Sequence, residues 1–223
     1  MRYAIIVAGG SGSRFGSNTP KQFLELAGMP VLMHTINKFA AVPDTQIIVV
    51  LPNSFVYWWS DLCKEYEFHT QHRVVVGGEN RFSSVKNALI SIDARPGDIV
   101  AVHDGVRPLV SARLIEAIFE QAANVGTAIP VTQMTDSIRQ VSDDEGNSTP
   151  LNRSSLRAVQ TPQAFRLAEL QAAYDTEFSP FFTDDASVYE HNGGTIRLID
   201  GEISNIKITH PNDLAIAEML IKE

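Results

Sequence analysis

The chain has 223 residues, of which 44% are hydrophobic and 20% charged; this suffices for a full core and predicts one domain spanning 1–223. Eighteen Lys+Arg against 26 Asp+Glu give a formal charge of −8, which repels a polyanionic backbone and argues against a nucleic-acid partner. The single cysteine, Cys63, rules out an internal disulfide or a thiolate zinc cluster, no apolar run approaches the ~18 residues of a membrane span, and Met1 leads straight into Ala4–Val7 with no signal-peptide core, so the expected location is the cytoplasm.

Short β-branched runs at Ala4–Val7, Ile47–Leu51, Arg73–Val76, Asp98–Val102 and Thr127–Val131 predict strands separated by amphipathic segments. The alternation predicts a Rossmann-like α/β fold, a mostly parallel sheet with helices on both faces. Pro30 stands at a helix start, and Val31, Leu32, Thr35, Ile36 and Phe39 follow at helical spacing. Ser111 is placed to cap a helix that turns Leu114, Ile115, Ile118 and Phe119 inward. From 132 to 157 the rhythm breaks around the polar stretch Asp143–Pro150, which predicts a protruding β-hairpin arm able to reach a neighbouring subunit. Helices near Leu167–Tyr174 and Asp184–His191, a strand over Thr195–Asp200 and a helix over Pro211–Lys222 complete the chain.

The loop after the first strand reads Ala8-Gly-Gly-Ser-Gly-Ser-Arg-Phe-Gly16, followed by Pro20-Lys-Gln-Phe23. Glycines at 9, 10, 12 and 16 let backbone N–H groups close round an anion, so Ala8, Gly9, Gly10, Ser11 and Gly12 form a candidate phosphate cradle. No Lys-Ser or Lys-Thr pair closes the loop as in a Walker A motif. Gly16 comes one residue late for a dinucleotide fingerprint, and the second strand ends in Leu51-Pro52 where a nicotinamide dinucleotide requires an acid for its ribose. A dehydrogenase therefore rests on Gly10-x-Gly12 alone. The loop does carry two cations, Arg14 and Lys21. Nucleotidyl transfer needs fixed positive charge where negative charge grows, on the bridging oxygen and the departing pyrophosphate.

Taken with Val76-Gly-Gly-x-x-Arg81, Ser84-Val85, His103-Asp-x-x-Arg-Pro108, Gln160-Thr-Pro-Gln-x-Phe165, Thr183-Asp-Asp-Ala-Ser187 and Asn205-Ile-Lys-Ile-Thr209, this loop resembles the 2-C-methyl-D-erythritol 4-phosphate cytidylyltransferases of the non-mevalonate isoprenoid pathway, in the family's order over nearly the whole length. The resemblance implies a homodimer joined through the arm, with CTP and a polyol phosphate as substrates and Mg2+ as cofactor. It gives Arg14 and Lys21 the transition state at the α-phosphate. Gly78 and Glu79 become the turn that reads cytosine, with Arg81, Ser84 and Asp104 as further CTP contacts. Arg153 from the arm and Lys207 would hold the acceptor's phosphate, and Arg107 and Ser137 would help to position that substrate.

Five positions depart from the family's usual pattern. Gly9 and the pair Gly105-Val106 replace alanines, Ser137 replaces a threonine, and Ser204 stands where an aspartate is common. Some of these recur in the sister ribitol 5-phosphate cytidylyltransferases, so that acceptor stays open. A non-catalytic nucleotide sensor stays open too, although binding alone gives no reason to place two cations at the reacting phosphate. His103 is expected to be a buried, hydrogen-bonded residue without a catalytic role, and His34, His69, His72, His191 and His210 to be ordinary surface or packing residues.

Overall fold

The structure is a computed structural model that describes residues 1–10, 19–142 and 146–221. Its centre is a set of four parallel strands, β1 (Arg2–Val7), β4 (Thr45–Leu51), β5 (Arg73–Val76) and β6 (Ile99–Asp104), in the order β5-β4-β1-β6. Each of β1, β4 and β6 alternates between two cores. On one face Ala4, Ile6, Val49, Leu51 and Ala101 meet Leu32, Ile36 and Phe39 of α1 (Val31–Ala40), and Ile115, Ile118 and Phe119 of α4 (Ala112–Val125). Trp59 and Leu62 of α2 (Asn53–Glu65) close the same layer. On the other face Tyr3, Ile5, Ile48, Val50 and Val102 meet α3 (Arg81–Ile90), α5 (Leu167–Ala173) and α6 (Asp185–His191). Burial on both faces is why these strands read as continuous apolar runs rather than as polar–apolar alternation.

Beyond β6 the sheet changes direction. β7 (Thr127–Gln133) does not pair with β6; β11 (Gln163–Arg166) lies between them, antiparallel to both. β10 (Arg157–Val159) is antiparallel to β7, and β12 (Leu198–Asp200) pairs with it in parallel. The predicted parallel core is therefore present, with antiparallel strands at one end that the sequence reading did not contain. It also lacked the small hairpin β2 (Glu25–Leu26) and β3 (Met29–Pro30) that leads into α1. The arm does form, with β8 (Ile138–Val141) paired to β9 (Ser148–Leu151) in register Ile138↔Leu151.

Boundaries moved by a few residues for local reasons. Asp98 is not part of β6: its Oδ2 accepts from the Arg95 N–H at 3.0 Å and closes the preceding turn. Ser111 caps α4, its hydroxyl accepting from Leu114 N–H at 3.0 Å. The last strand covers only 198–200, and the last helix, α7 (Pro211–Leu220), ends before the expected Lys222, which lies outside the described residues. None of the described helices is long and apolar enough to cross a membrane.

At the end of β6, His103 is fully buried against the Phe39 ring, centroids 5.0 Å apart. Its Nε2 lies 3.1 Å from Arg107 O and its Nδ1 3.1 Å from Thr161 Oγ1. A carbonyl only accepts, so Nε2 carries the proton and Thr161 donates to Nδ1. Burial pushes the His103 pKa down to about 4. The unfolded chain, with its ordinary histidine value, then binds the extra proton between about pH 6.5 and 4, so stability is present above that window and falls as pH drops through it, by about 3 kcal/mol. Urea unfolding at pH 7 and pH 4.5 checks this. The wild-type protein should lose more stability on acidification than His103→Gln, and equal losses would remove His103 as the linked group.

Candidate active site

β1 lies between β4 and β6; the chain runs outward from β1 through β4 to β5 and then crosses back to β6 on the other side, and at this reversal the carboxyl ends of the strands open a crevice. Ladder-like bonds carry the strands to its rim: Ala8 N–H donates to Val50 O at 2.9 Å, Gly77 N–H to Leu51 O at 2.8 Å and Gly105 N–H to Val7 O at 2.8 Å. The crevice holds a cavity of about 240 Å³. Ala8, Gly9 and Gly10 form one wall. Lys21 stands above them; a side chain at Gly10 would place its first carbon 3.6 Å from Lys21 Cε, so the lysine stem lies over that glycine. Residues 11, 12 and 14 of the predicted cradle lie outside the described residues.

Lys21 opens a single tight turn, Lys21–Phe23, pinned on both sides. Gln22 is buried and donates to Ala8 O at 2.8 Å, tying the turn to the end of β1. Phe23 is buried among Phe55, Trp58 and Trp59, with centroids 5.6, 5.0 and 6.0 Å away. A lysine carried between two such anchors loses little further freedom when it meets a ligand.

The facing wall is the turn Gly78–Asn80 and the first residues of α3. Asn80 caps that helix: its Oδ1 accepts from Ser83 N–H at 2.8 Å, and Ser83 Oγ accepts from Asn80 N–H at 3.1 Å. Ser84 Oγ accepts from Gly78 N–H at 3.1 Å. Position 78 must be glycine, because a Cβ there would sit 2.5 Å from Ser83 Cβ and 3.1 Å from the Ser83 carbonyl carbon. Glu79 borders the cavity from this turn.

Asp104 forms the floor. Its N–H donates to Thr161 Oγ1 at 3.0 Å, and its carboxylate faces three cations: Lys207 Nζ at 3.0 Å and Arg107 Nε at 3.3 Å on Oδ2, and Arg81 Nε at 3.8 Å on Oδ1. Burial alone would raise its pKa, but Arg81, Lys207 and Arg107 outweigh it and hold the carboxyl well below the usual carboxylate range. The chain is acidic overall, yet this crevice gathers Lys21, Arg81 and Lys207 around Asp104 and Glu79. That polarity suits an anion with a polar base at one end.

Arg107 departs from its expected role. It does not border the cavity; its side chain is nearly buried behind Asp104, and Nη1 donates to Asn205 O at 2.8 Å. With Ile208 N–H on Val106 O at 2.9 Å, it fixes the segment that presents Lys207. The Asp104–Arg107 ion pair stiffens the loop while Asp104 still faces the cavity. Ser137 and Arg153 stand apart. Ser137 is exposed on the arm, and Arg153, whose Nη1 donates to Thr135 O, borders a second hollow of about 500 Å³ with Gln133 and Arg157.

Sequence reasoning gave no separate role to Gln22, Asn80, Asp185 or Asn205. Asn80 was legible, because Asn followed three residues later by Ser marks a helix start. The other three are wholly buried polar side chains whose partners lie far away in the chain, as when Asn205 Nδ2 donates to Thr161 O at 2.9 Å. Gly105, one of the departures, has a packing reason: a Cβ there would come 3.0 Å from Ala8 Cβ and 3.1 Å from Leu32 Cδ1. Among the described residues no group of three His, Cys, Asp or Glu side chains is placed to hold a metal ion.

Comparison with known proteins agrees with this geometry. The family model of 2-C-methyl-D-erythritol 4-phosphate cytidylyltransferase matches residues 3–223. The enzyme of that name from Porphyromonas gingivalis is 51% identical over 221 residues, covering 99% of this chain and 97% of the relative. The one from Bacteroides thetaiotaomicron is 47% identical over 218 residues, covering 97% and 98%. Among solved structures, 4-diphosphocytidyl-2C-methyl-D-erythritol synthase from Anaerococcus prevotii superposes with a TM-score of 0.82 at 28% identity, covering 100% of this chain and 96% of that one. The 2-C-methyl-D-erythritol 4-phosphate cytidylyltransferase of Thermus thermophilus gives 0.78 at 30% identity, covering all of both chains. The chain belongs to the 2-C-methyl-D-erythritol 4-phosphate cytidylyltransferase family.

Proposed function

We propose that the crevice binds CTP and that the enzyme transfers its cytidylyl group to the phosphate of 2-C-methyl-D-erythritol 4-phosphate, releasing pyrophosphate in the cytoplasm. The observation that carries this reading is the placement of Lys21 over Gly10 on one side of the cavity and of Lys207 beside Asp104 on the other. This arrangement provides a cation for the triphosphate and a second for the acceptor's own phosphate. Family membership supplies the identity of the base and of the acceptor.

An oxygen of the acceptor phosphate attacks the α-phosphorus in line; a new P–O bond forms, and the bond to the bridging oxygen of the leaving pyrophosphate breaks. The nucleophile is already anionic near neutral pH, so no general base is required. Charge grows on the leaving group, where Lys21, together with Arg14 of the adjoining loop, offsets it. Gly78 and Glu79 offer backbone groups and an acceptor to the cytosine amino group and refuse a carbonyl there. Asp104 is already matched by three cations, so a magnesium ion would be brought with the triphosphate as part of the substrate and would supply neutralisation of phosphate charge.

Arg153 acts in the partner's crevice of a homodimer, with Ser137 beside the same acceptor. Exposed Val141 and Leu151 on the arm support such an interface. The sister reading keeps the chemistry and changes the acceptor to ribitol 5-phosphate, and Ser204 is the observation in its favour, since it removes an acidic acceptor next to the substrate's hydroxyls.

Pyrophosphate release from CTP and Mg2+ is expected with 2-C-methyl-D-erythritol 4-phosphate and not with ribitol 5-phosphate; release with the second alone moves the protein to the sister activity. In the same assay Lys21→Ala lowers turnover by ~10²-fold or more, the scale for losing a preorganised charge-stabilising donor. Near-normal turnover would sink the mechanism. Gly78→Ala, which must push the start of α3 aside, raises the KM for CTP by about tenfold with a smaller change in kcat. Mixing the two inactive variants Lys21→Ala and Arg153→Ala restores roughly a quarter of wild-type activity, because half the dimers are mixed and one of their two sites is intact. No recovery on mixing places Arg153 in its own chain's site or outside it.

A further inference from the structure

Arg81 was expected to touch the nucleotide, but its guanidinium is already committed. Nη2 donates to Asp185 Oδ2 at 2.6 Å, while Nε stays 3.8 Å from Asp104 Oδ1, too far for a hydrogen bond. Asp185 is the first residue of α6 and fully buried, and its other oxygen accepts from the Tyr174 hydroxyl at 2.6 Å. The two carboxylates therefore compete for one guanidinium, and the more deeply buried one holds it. On Asp104 the consequence is asymmetric. Oδ2 is taken by Lys207 and Arg107, at 3.0 and 3.3 Å, while among the described residues Oδ1 accepts no hydrogen bond, Arg81 Nε being 3.8 Å away.

We infer that Asp185 is a positioning residue that acts through Arg81: by holding the guanidinium back from Asp104, it leaves Oδ1 open to a hydroxyl of the bound nucleotide. The inference rests on the CTP reading of the crevice. Asp185 is fully buried and does not line the cavity, so its effect on binding has to pass through the arginine.

Three variants of the full chain test it, each titrated with CTP by calorimetry and melted to follow stability. Asp185→Asn keeps the shape and a carbonyl oxygen for Tyr174 but releases Arg81 onto Asp104, and the Kd for CTP rises by about tenfold. Tyr174→Phe removes the other bond to Asp185; it lowers the melting temperature and leaves the Kd within about twofold. The decisive variant is Asp185→Asn with Arg81→Gln. Removing both members of a buried ion pair is tolerated far better than removing one, and without the arginine Oδ1 is open again, so CTP binding returns to within about threefold of wild type.

A double variant that binds as weakly as Asp185→Asn, or more weakly, makes Arg81 itself the nucleotide contact and overturns the inference. Unchanged binding in folded Asp185→Asn does the same, as does an equal loss in Tyr174→Phe, which would reduce the effect to stability. If Asp185→Asn does not fold, the double variant decides alone: binding within about threefold supports the inference and a loss of about tenfold or more ends it. A wild-type protein that does not bind CTP refutes the reading of the crevice rather than the role of Asp185.

Discussion

A carboxylate that loses its water must be matched by charge held at short range, and Asp104 is such a group, 8% exposed at the end of a central strand. Its three cations come from positions 81, 107 and 207, which belong to the start of α3, the loop after β6 and the segment before α7. Satisfying that one anion fixes three otherwise independent pieces of chain around one point. Thr161, with His103 beneath it, adds a fourth piece from the turn that leads into β11. The crevice is thus defined from its floor upward.

The charged groups at the site are oriented by hydrogen bonds and packing from neighbouring residues. Gln22 and Phe23 aim Lys21, Ser84 and the Asn80–Ser83 cap shape the turn at Gly78, and Arg107 together with Asn205 presents Lys207. Such support explains how a site assembled largely from loops can be precise. The framework strands contribute little chemistry of their own, but their carboxyl ends fix where every loop begins.

What could be read from the sequence follows the range of the interactions involved. β5 was placed at its observed ends, and α1 and the Ser111 cap were legible, because periodicity and capping are local signals. β11 was not. It is four residues long and buried on both faces, and its Gln163 resembles a loop residue until Asp184 and Ala186 are seen to satisfy both ends of the side chain, at 2.9 Å each. The β2–β3 hairpin was missed because Ala27 adopts φ +48 beside Gly28 at φ +86, and alanine gives no sign of a left-handed turn. Most of the crevice was legible through its motifs, whereas the Asp185–Arg81 link spans 104 positions and has no local signature. The position of Arg107 behind the carboxylate, rather than in front of it, is likewise decided by packing.

The insertion of β11 between β6 and β7 also bears on how the molecule is made. When synthesis has passed β7, the sheet has a vacant slot with two unpaired edges, and the segment that fills it is still some thirty positions away, beyond the arm. The arm can pair with itself early, being a local hairpin, while the slot has to wait. Thr161 arrives with β11 and Lys207 later still, so Asp104 stays under-compensated in any nascent chain that stops short of them. Nucleotide can therefore reward only the finished molecule, and a cell rich in CTP would favour completed copies over truncated ones by mass action.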